Sequence, residues 1–409
     1  MAPYIKYALV PLFVGCSVFG AYATIGSLKH NGLGAVLRGV ASGDRSSLLG
    51  APEPFKRSYT GVAAIDGQLR ILVLFFSALL DGAVPPETRL FYLWGMGQFV
   101  AGWTLVLLES LRAGNRGRAV SWIATFGLIF QNISWTVALP IWLAMHLLTS
   151  PVAKLRNGDG DAARKTLFVL LWDMALIPSS VTVGFIAPAI LMPMSELLHQ
   201  SAATHYNWIA IWQAFPLWNA LMLQALHQAL LFVVGSLELR DEKGEKTTPG
   251  KGYVTAAADV YGFALTVATF SHVPVLALSV LPPPLRKLLA SFFPSYATYI
   301  ERGTFANIFV PHSPSSPPSV VPTAYASGDL APVAIQFLQY DLFVASVPFL
   351  LWALYLYQTT VKNPSLVTAL KNVGYWTLIG GPHAAVAVLL RERDDTVLEG
   401  EAPLEKKKN

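Results

Sequence analysis

Long apolar runs follow one another almost from end to end of this chain, and several of them carry a carboxylate. A membrane span needs roughly 20 mostly apolar residues. Runs of that kind cover residues 4–25, 69–84, 90–111, 120–148, 166–191, 208–234, 254–281, 336–359 and 369–390. Charged residues make up only 13% of the chain and hydrophobic ones 54%, with a mean hydropathy of +0.48. A soluble domain carries about 25% charged residues. The expected fold is therefore all-α, a polytopic transmembrane helical bundle of about eight or nine spans. The run at 69–84 is short; its flank at 65–68 extends it, or it is tilted or re-entrant. A single membrane domain is expected over residues 1–394, with a long polar loop at 282–335 and a charged tail at 395–409. Pro140, Pro178, Pro188, Pro216, Pro274, Pro348 and Pro382 fall inside the runs. Proline deletes a backbone hydrogen bond and bends a helix, so several spans are expected to be kinked and to leave gaps that hold ligand or water.

Composition also narrows the function. The net charge of +5 comes from Lys and Arg spread over short loops, which is ordinary for juxtamembrane segments. No nucleic-acid partner is expected. Cys16 is the only cysteine, so neither a disulfide framework nor a thiolate metal site can be built. No H-E-x-x-H, P-loop or G-x-G-x-x-G is present, and no metal or cofactor is expected. Ala21-Tyr22-Ala23 follows the first run in the manner of a signal-peptide cleavage site. The run lacks a distinct basic leader, which favours a retained helix. Polar segments lie at 29–63, 150–165 and 237–252 and in the tail from residue 391. The tail ends in Lys406-Lys407-Lys408-Asn409, similar to a di-lysine address of the endoplasmic reticulum, though spaced differently from the end.

The carboxylates are the candidate chemistry. A charged side chain at the centre of a bilayer costs at least ~2.5–3.5 kcal/mol. Asp81 lies where an apolar run stops at Asp81-Gly82, before Pro85-Pro86. It reads either as an acid at the mouth of an apolar cavity or as a polar residue at the headgroups. Asp173 follows Trp172 among apolar residues, with Ser180 on the same helical face. Asp341 follows Gln339-Tyr340 near the expected start of a span, where a helix cap is the plain alternative. Glu109 stands three residues before Arg112, a spacing suited to an interfacial ion pair, although it shares a stripe with Gln98, Gly102 and Val106. Asp259 lies close to a span boundary. Burial favours the uncharged form of a carboxyl group, and a neutral carboxylic acid is a competent proton donor. The tryptophans are spread across the spans, as interfacial anchors or as walls of a cavity.

Several phrases together carry a resemblance. They are Phe76-Ser77-Ala78-Leu79-Leu80-Asp81-Gly82 with Pro85-Pro86, and Gly97-Gln98 leading to Glu109 and Arg112-Ala113-Gly114-Asn115-Arg116. Leu147-Leu148-Thr149-Ser150-Pro151, Gln339-Tyr340-Asp341 and Gly381-Pro382-His383-Ala384-Ala385 running to Arg391-Glu392-Arg393-Asp394 complete the set. In order and spacing they resemble the fungal integral-membrane terpene cyclases of the ascofuranone type, over residues 69–394 but not at 29–63 or 282–332. The resemblance implies a metal-independent membrane enzyme that opens an epoxide on a prenylated aromatic compound or, in relatives, on a polyketide.

The expected activity is a terpene cyclase of meroterpenoid secondary metabolism. A carboxylic acid protonates the epoxide oxygen of a lipophilic substrate held within the bilayer, and cyclisation follows. Asp81, Asp173 and Asp341 are the acid–base candidates, with Glu109 in reserve. Epoxide hydrolysis or cyclisation of a polyketide is the near alternative. A proton-coupled transporter of a lipophilic metabolite is the distant one, since intramembrane carboxylates also serve proton relays.

Overall fold

The computed structural model describes residues 4–235 and 250–398. Among them helix is the repeating secondary structure, and extended pairing is confined to an isolated bridge between Val321 and Ala324. In chain order the main helices are α1 (Ile5–His30), α2 (Leu33–Ser42), α3 (Ala63–Leu80), α4 (Pro86–Ser110), α5 (Ile123–Ile133), α6 (Trp135–Thr149), α7 (Leu171–Met194), α8 (Ala202–Gln213), α9 (Phe215–Val234), α10 (Gly250–Ser279), α11 (Leu330–Thr360), α12 (Leu366–Gly380) and α13 (Pro382–Leu398). By length and composition α1, α3, α4, α7, α9, α10 and α11 are the seven long and apolar enough to cross a membrane. The molecule is a polytopic helical bundle. Its central helix is α4, with 78% of its most apolar stretch buried. It packs against α10, α11 and α13.

Local chemistry sets many of the boundaries. Pro86 opens α4 where a missing N–H costs nothing. Ser201 and Ser365 cap α8 and α12 by accepting from the N–H of Thr204 and Thr368. α3 stops at Asp81-Gly82, where Gly82 has φ +75° and Ser327 occupies the space a side chain would need. Pro11, Pro140, Pro178, Pro274 and Pro348 lie inside helices. Pro216 and Pro382 instead sit in first turns, so they start helices rather than bend them.

Several continuous runs prove to be broken. The run at 120–148 divides into α5 and α6 at Ser134, a non-glycine residue with φ +83°. The run at 369–390 divides into α12 and α13 at Gly381, also with φ +83°. The run at 208–234 divides into α8 and α9 at Ala214. Hydropathy reports that a segment is buried, not that it is straight. A break is tolerated in apolar surroundings when other groups satisfy the freed backbone. At Gly381 that group is Gln98 of α4. Its Nε2 donates to the carbonyl of Gly380 at 2.9 Å, and its Oε1 accepts from the N–H of His383 at 3.2 Å.

The ends also differ from the sequence reading. The segment expected as a polar loop at 282–335 contains helices at Pro283–Phe292, Ala297–Arg302 and Phe305–Phe309. Arg286 ties it together by donating to the carbonyls of Leu278 and Ile300. α11 begins at Leu330, so Asp341 lies in the helix interior rather than near its start. The expected polar tail from residue 391 is in part core: α13 runs on to Leu398, with Arg393 and Asp394 each 1% exposed. The terminal lysines and the segment at 236–249 lie outside the described residues.

Replacing Gln98 by Leu leaves the Gly380 carbonyl and the His383 N–H unpaired in the core. The expected loss is about 1–3 kcal/mol for each group. It should appear as a lowered unfolding temperature in detergent, and an unchanged temperature would count against this account of the break.

Candidate active site

The break at Ser134 builds the site. Ser134 leaves the first N–H groups of α6 without helical partners, and Asp341 of α11 supplies the acceptor. Asp341 Oδ1 accepts from Ser134 Oγ at 2.5 Å and from the Thr136 N–H at 2.7 Å. Both bonds are made by the same carboxyl oxygen. Oδ2 takes part in neither, and the side chain lines a cavity of about 220 Å³. Aromatic side chains share the rest of the wall with aliphatic ones and with Gln68, Gln131 and Asn132. Phe75 and Phe76 come from α3, Tyr92 and Phe99 from α4, Phe130 and Trp135 from either side of the break, Trp212 from α8 and Phe337 from α11. The rings hold one another edge-on: Phe75 with Phe337 at 5.0 Å, Phe99 with Trp135 at 4.9 Å, Phe130 with Trp135 at 4.9 Å. Trp212 packs against Phe76 at 4.7 Å.

A second, wider chamber of about 800 Å³ adjoins it, with Tyr92 and Met96 of α4 lining both. Asp81 lines this chamber together with Arg89 and Phe270. Ser77 donates to Asp81 Oδ2 at 2.5 Å, and His205 Nε2 lies 2.9 Å from Oδ1. His205 is fully buried, and its Nδ1 has no hydrogen-bond partner among the described residues. Burial first, and the nearby Asp81 charge second, push the neighbouring Tyr206 phenol above its ordinary range. Gly50, Ala51 and Pro52 roof the chamber. That roof is anchored by Tyr206, which donates to the Pro52 carbonyl at 2.6 Å, and by Lys56 on Asn207 at 2.7 Å.

The CtvD-domain family model matches residues 6–398, nearly the whole chain. The chain belongs to the CtvD-domain family. It is 28% identical to the terpene cyclase ctvD of Aspergillus terreus, over 94% of this chain and 99% of that protein. It is 24% identical to the terpene cyclase ascI of Acremonium egyptiacum, over 94% of this chain and 90% of the relative. With the terpene cyclase janA of Penicillium janthinellum it shares 27% identity over 52% of this chain and 57% of the relative. No solved structure matches it.

In this member of the CtvD-domain family the remaining sequence candidates stand apart from both chambers. Glu109 is fully buried in an ion network. Arg393 donates to both of its oxygens, at 2.6 and 3.2 Å, and Arg112 Nε adds a third bond at 3.1 Å. Asp394 closes the network on Arg112, Arg393 and the Tyr261 hydroxyl. A carboxylate held this way is a structural ion pair between α4 and α13. Asp173 pairs with His227 Nδ1 at 2.5 Å, with side chains 24% and 19% exposed, and lines neither chamber. Asp259 is exposed. Among the described residues no group of three or more His, Cys, Asp or Glu could hold a metal ion.

Other polar residues escaped the sequence reading. Asp66 in the first turn of α3 accepts from Ser58, from the N–H groups of Tyr59, Thr60 and Gly61, and from the Thr60 hydroxyl. It shapes the roof segment. An Asp at the start of an apolar run, just after Thr60-Gly61, is the signal that could have found it. His205 carried no such signal, because its partner is far away in the chain. Glu109→Gln removes one of the two carboxylates that neutralise the buried Arg112 and Arg393. The expected cost is on the order of 3–5 kcal/mol, read as a fall in unfolding temperature. Wild-type stability in that variant would show that the network does not hold α13 to α4.

Proposed function

We propose that the chain is a membrane terpene cyclase that opens an epoxide on a prenylated substrate by acid protonation, with Asp341 as the proton donor. The observation that carries the reading is a single carboxyl group, held at a helix break, in a cavity walled mainly by aromatic and aliphatic side chains. In the proposed step Asp341 in its acid form transfers its proton to the epoxide oxygen. The carbon–oxygen bond breaks, and its electron pair stays on that oxygen as a hydroxyl group. The cation that develops on carbon is stabilised by the surrounding ring faces, by ~0.5–2 kcal/mol for each well-placed ring. A substrate alkene or hydroxyl then attacks this carbon and closes the ring. An attacking hydroxyl then gives up its own proton; where an alkene attacks, the new cation it leaves loses a proton from a neighbouring carbon. In either case that proton goes to the Asp81–His205 pair in the adjoining chamber. Two acids in different surroundings suit these opposite roles. Dry walls keep water from trapping the cation and hold the chain folded for attack.

The relatives' names support cyclisation of a terpene; the epoxide, the meroterpenoid class and the acid mechanism are parts of the proposal. So is residence in the endoplasmic reticulum, on the strength of Lys406-Lys407-Lys408. Opening of a polyketide epoxide would use the same acid and differ only in what attacks the carbon.

The test is turnover of an epoxyfarnesyl phenol by detergent-purified protein, with products identified by mass spectrometry. Asp341→Asn keeps an oxygen for Ser134 and the Thr136 N–H, so the cap survives while the acid proton is lost. Its expected kcat is lower by roughly 10²–10⁴, with substrate binding retained. Asp81→Asn should also lose turnover, and Asp173→Asn should keep it. Full activity in both Asp341→Asn and Asp81→Asn would remove the assignment.

A further inference from the structure

The aromatic cavity carries polar atoms that the acid mechanism does not use. Trp135 and Trp212 are each 1% exposed, and both line it. Neither indole N–H has a hydrogen-bond partner among the described residues. The Tyr92 hydroxyl and the Gln131 amide nitrogen, on residues of the same wall, are buried and unpartnered as well. Buried indole N–H groups normally find a partner. Elsewhere in this chain they do: Trp94 donates to His272 at 2.8 Å, Trp103 to Asn219 and Trp352 to His146 at 3.1 Å. The unpaired ones meet at one cavity, on either side of Phe99, which stacks edge-on with both indoles.

An indole N–H donates and cannot accept, and an amide NH₂ likewise only donates. Their natural complement is an acceptor oxygen. Trp135 directly follows Ser134, the residue that holds Asp341, so the donors stand on the wall that carries the acid. We propose that Trp135 and Trp212 recognise an acceptor oxygen on the tail of the substrate, so that the cavity selects an oxygenated isoprenoid over a plain hydrocarbon chain. The proposal rests on the reading of this cavity as the reaction chamber, and it names what the chamber recognises. A site built to pair with a substrate oxygen rejects the analogue that lacks it, because its own donors are then left buried and unpaired.

The test uses two unreactive probes on the full-length protein in detergent. One is a farnesyl phenol with a ketone at the tail end, which accepts hydrogen bonds but has no epoxide to open. The other is the same chain ending in an alkene. Equilibrium binding to the wild type is expected to favour the ketone by about tenfold. Trp135→Phe and Trp212→Phe remove the indole N–H together with the five-membered ring that carries it and keep an aromatic face. Each is expected to lower the ratio of ketone to alkene affinity roughly fivefold. A purely structural role would move both probes together. Equal wild-type affinities overturn the proposal without recourse to any variant, as does parallel loss of both probes in folded variants. A ketone preference in protein that fails to turn over the epoxide would sink the reaction and leave the recognition standing.

Discussion

Backbone groups in apolar surroundings must be paired, and the architecture follows from how this chain meets that demand where its helices break. Unbroken helices satisfy themselves. The divided runs do not, and side chains from intact helices serve them: Gln98 of α4 bridges Gly380 and His383, and Asp341 of α11 caps α6 at Ser134. Ser134 holds a left-handed backbone conformation that L-residues seldom adopt. Strain of that kind persists only where its surroundings over-determine it. Here they do so with a carboxyl group that also faces the aromatic cavity.

In the proposed reaction that dual placement lets one acid be both structural and chemical. Oδ1 is committed to the cap and fixes the orientation of the group, and the side chain lines the cavity. α4 organises the remainder. Tyr92 and Met96 divide the two chambers, Gln98 holds the α12–α13 break, and Glu109 closes the far end through Arg112 and Arg393. The carboxylates that line the chambers are thereby separated from those of the ion network. Glu109 and Asp394 are gripped by guanidinium groups away from the chambers.

Membership of the CtvD-domain family rests on a match along nearly the whole chain, with relatives at 24–28% identity. A fold alone never specifies an activity. The proposed chemistry rests on the cavity itself: a carboxyl group, walls that include many ring faces, and donors without partners among the described residues.

Helical class and membrane character were legible in the chain, because about twenty apolar residues in a row have few other places to go. Asp81 and Asp341 were legible as candidates, since a carboxylate in an apolar run is costly unless something offsets it. Their surroundings were not. Asp81 finds His205 at a separation of 124 residues, and Asp341 finds Ser134 at 207. No local pattern encodes a contact at such range. For the same reason Asp394 read as part of a polar segment at the edge of the membrane domain, and Arg112, 282 residues away, draws it into the core. Sequence alone determined which segments leave water and which acids they carry along. Only tertiary packing decided which acids met a cation, which met a broken helix, and which came to line a cavity, because those outcomes depend on neighbours brought together by folding.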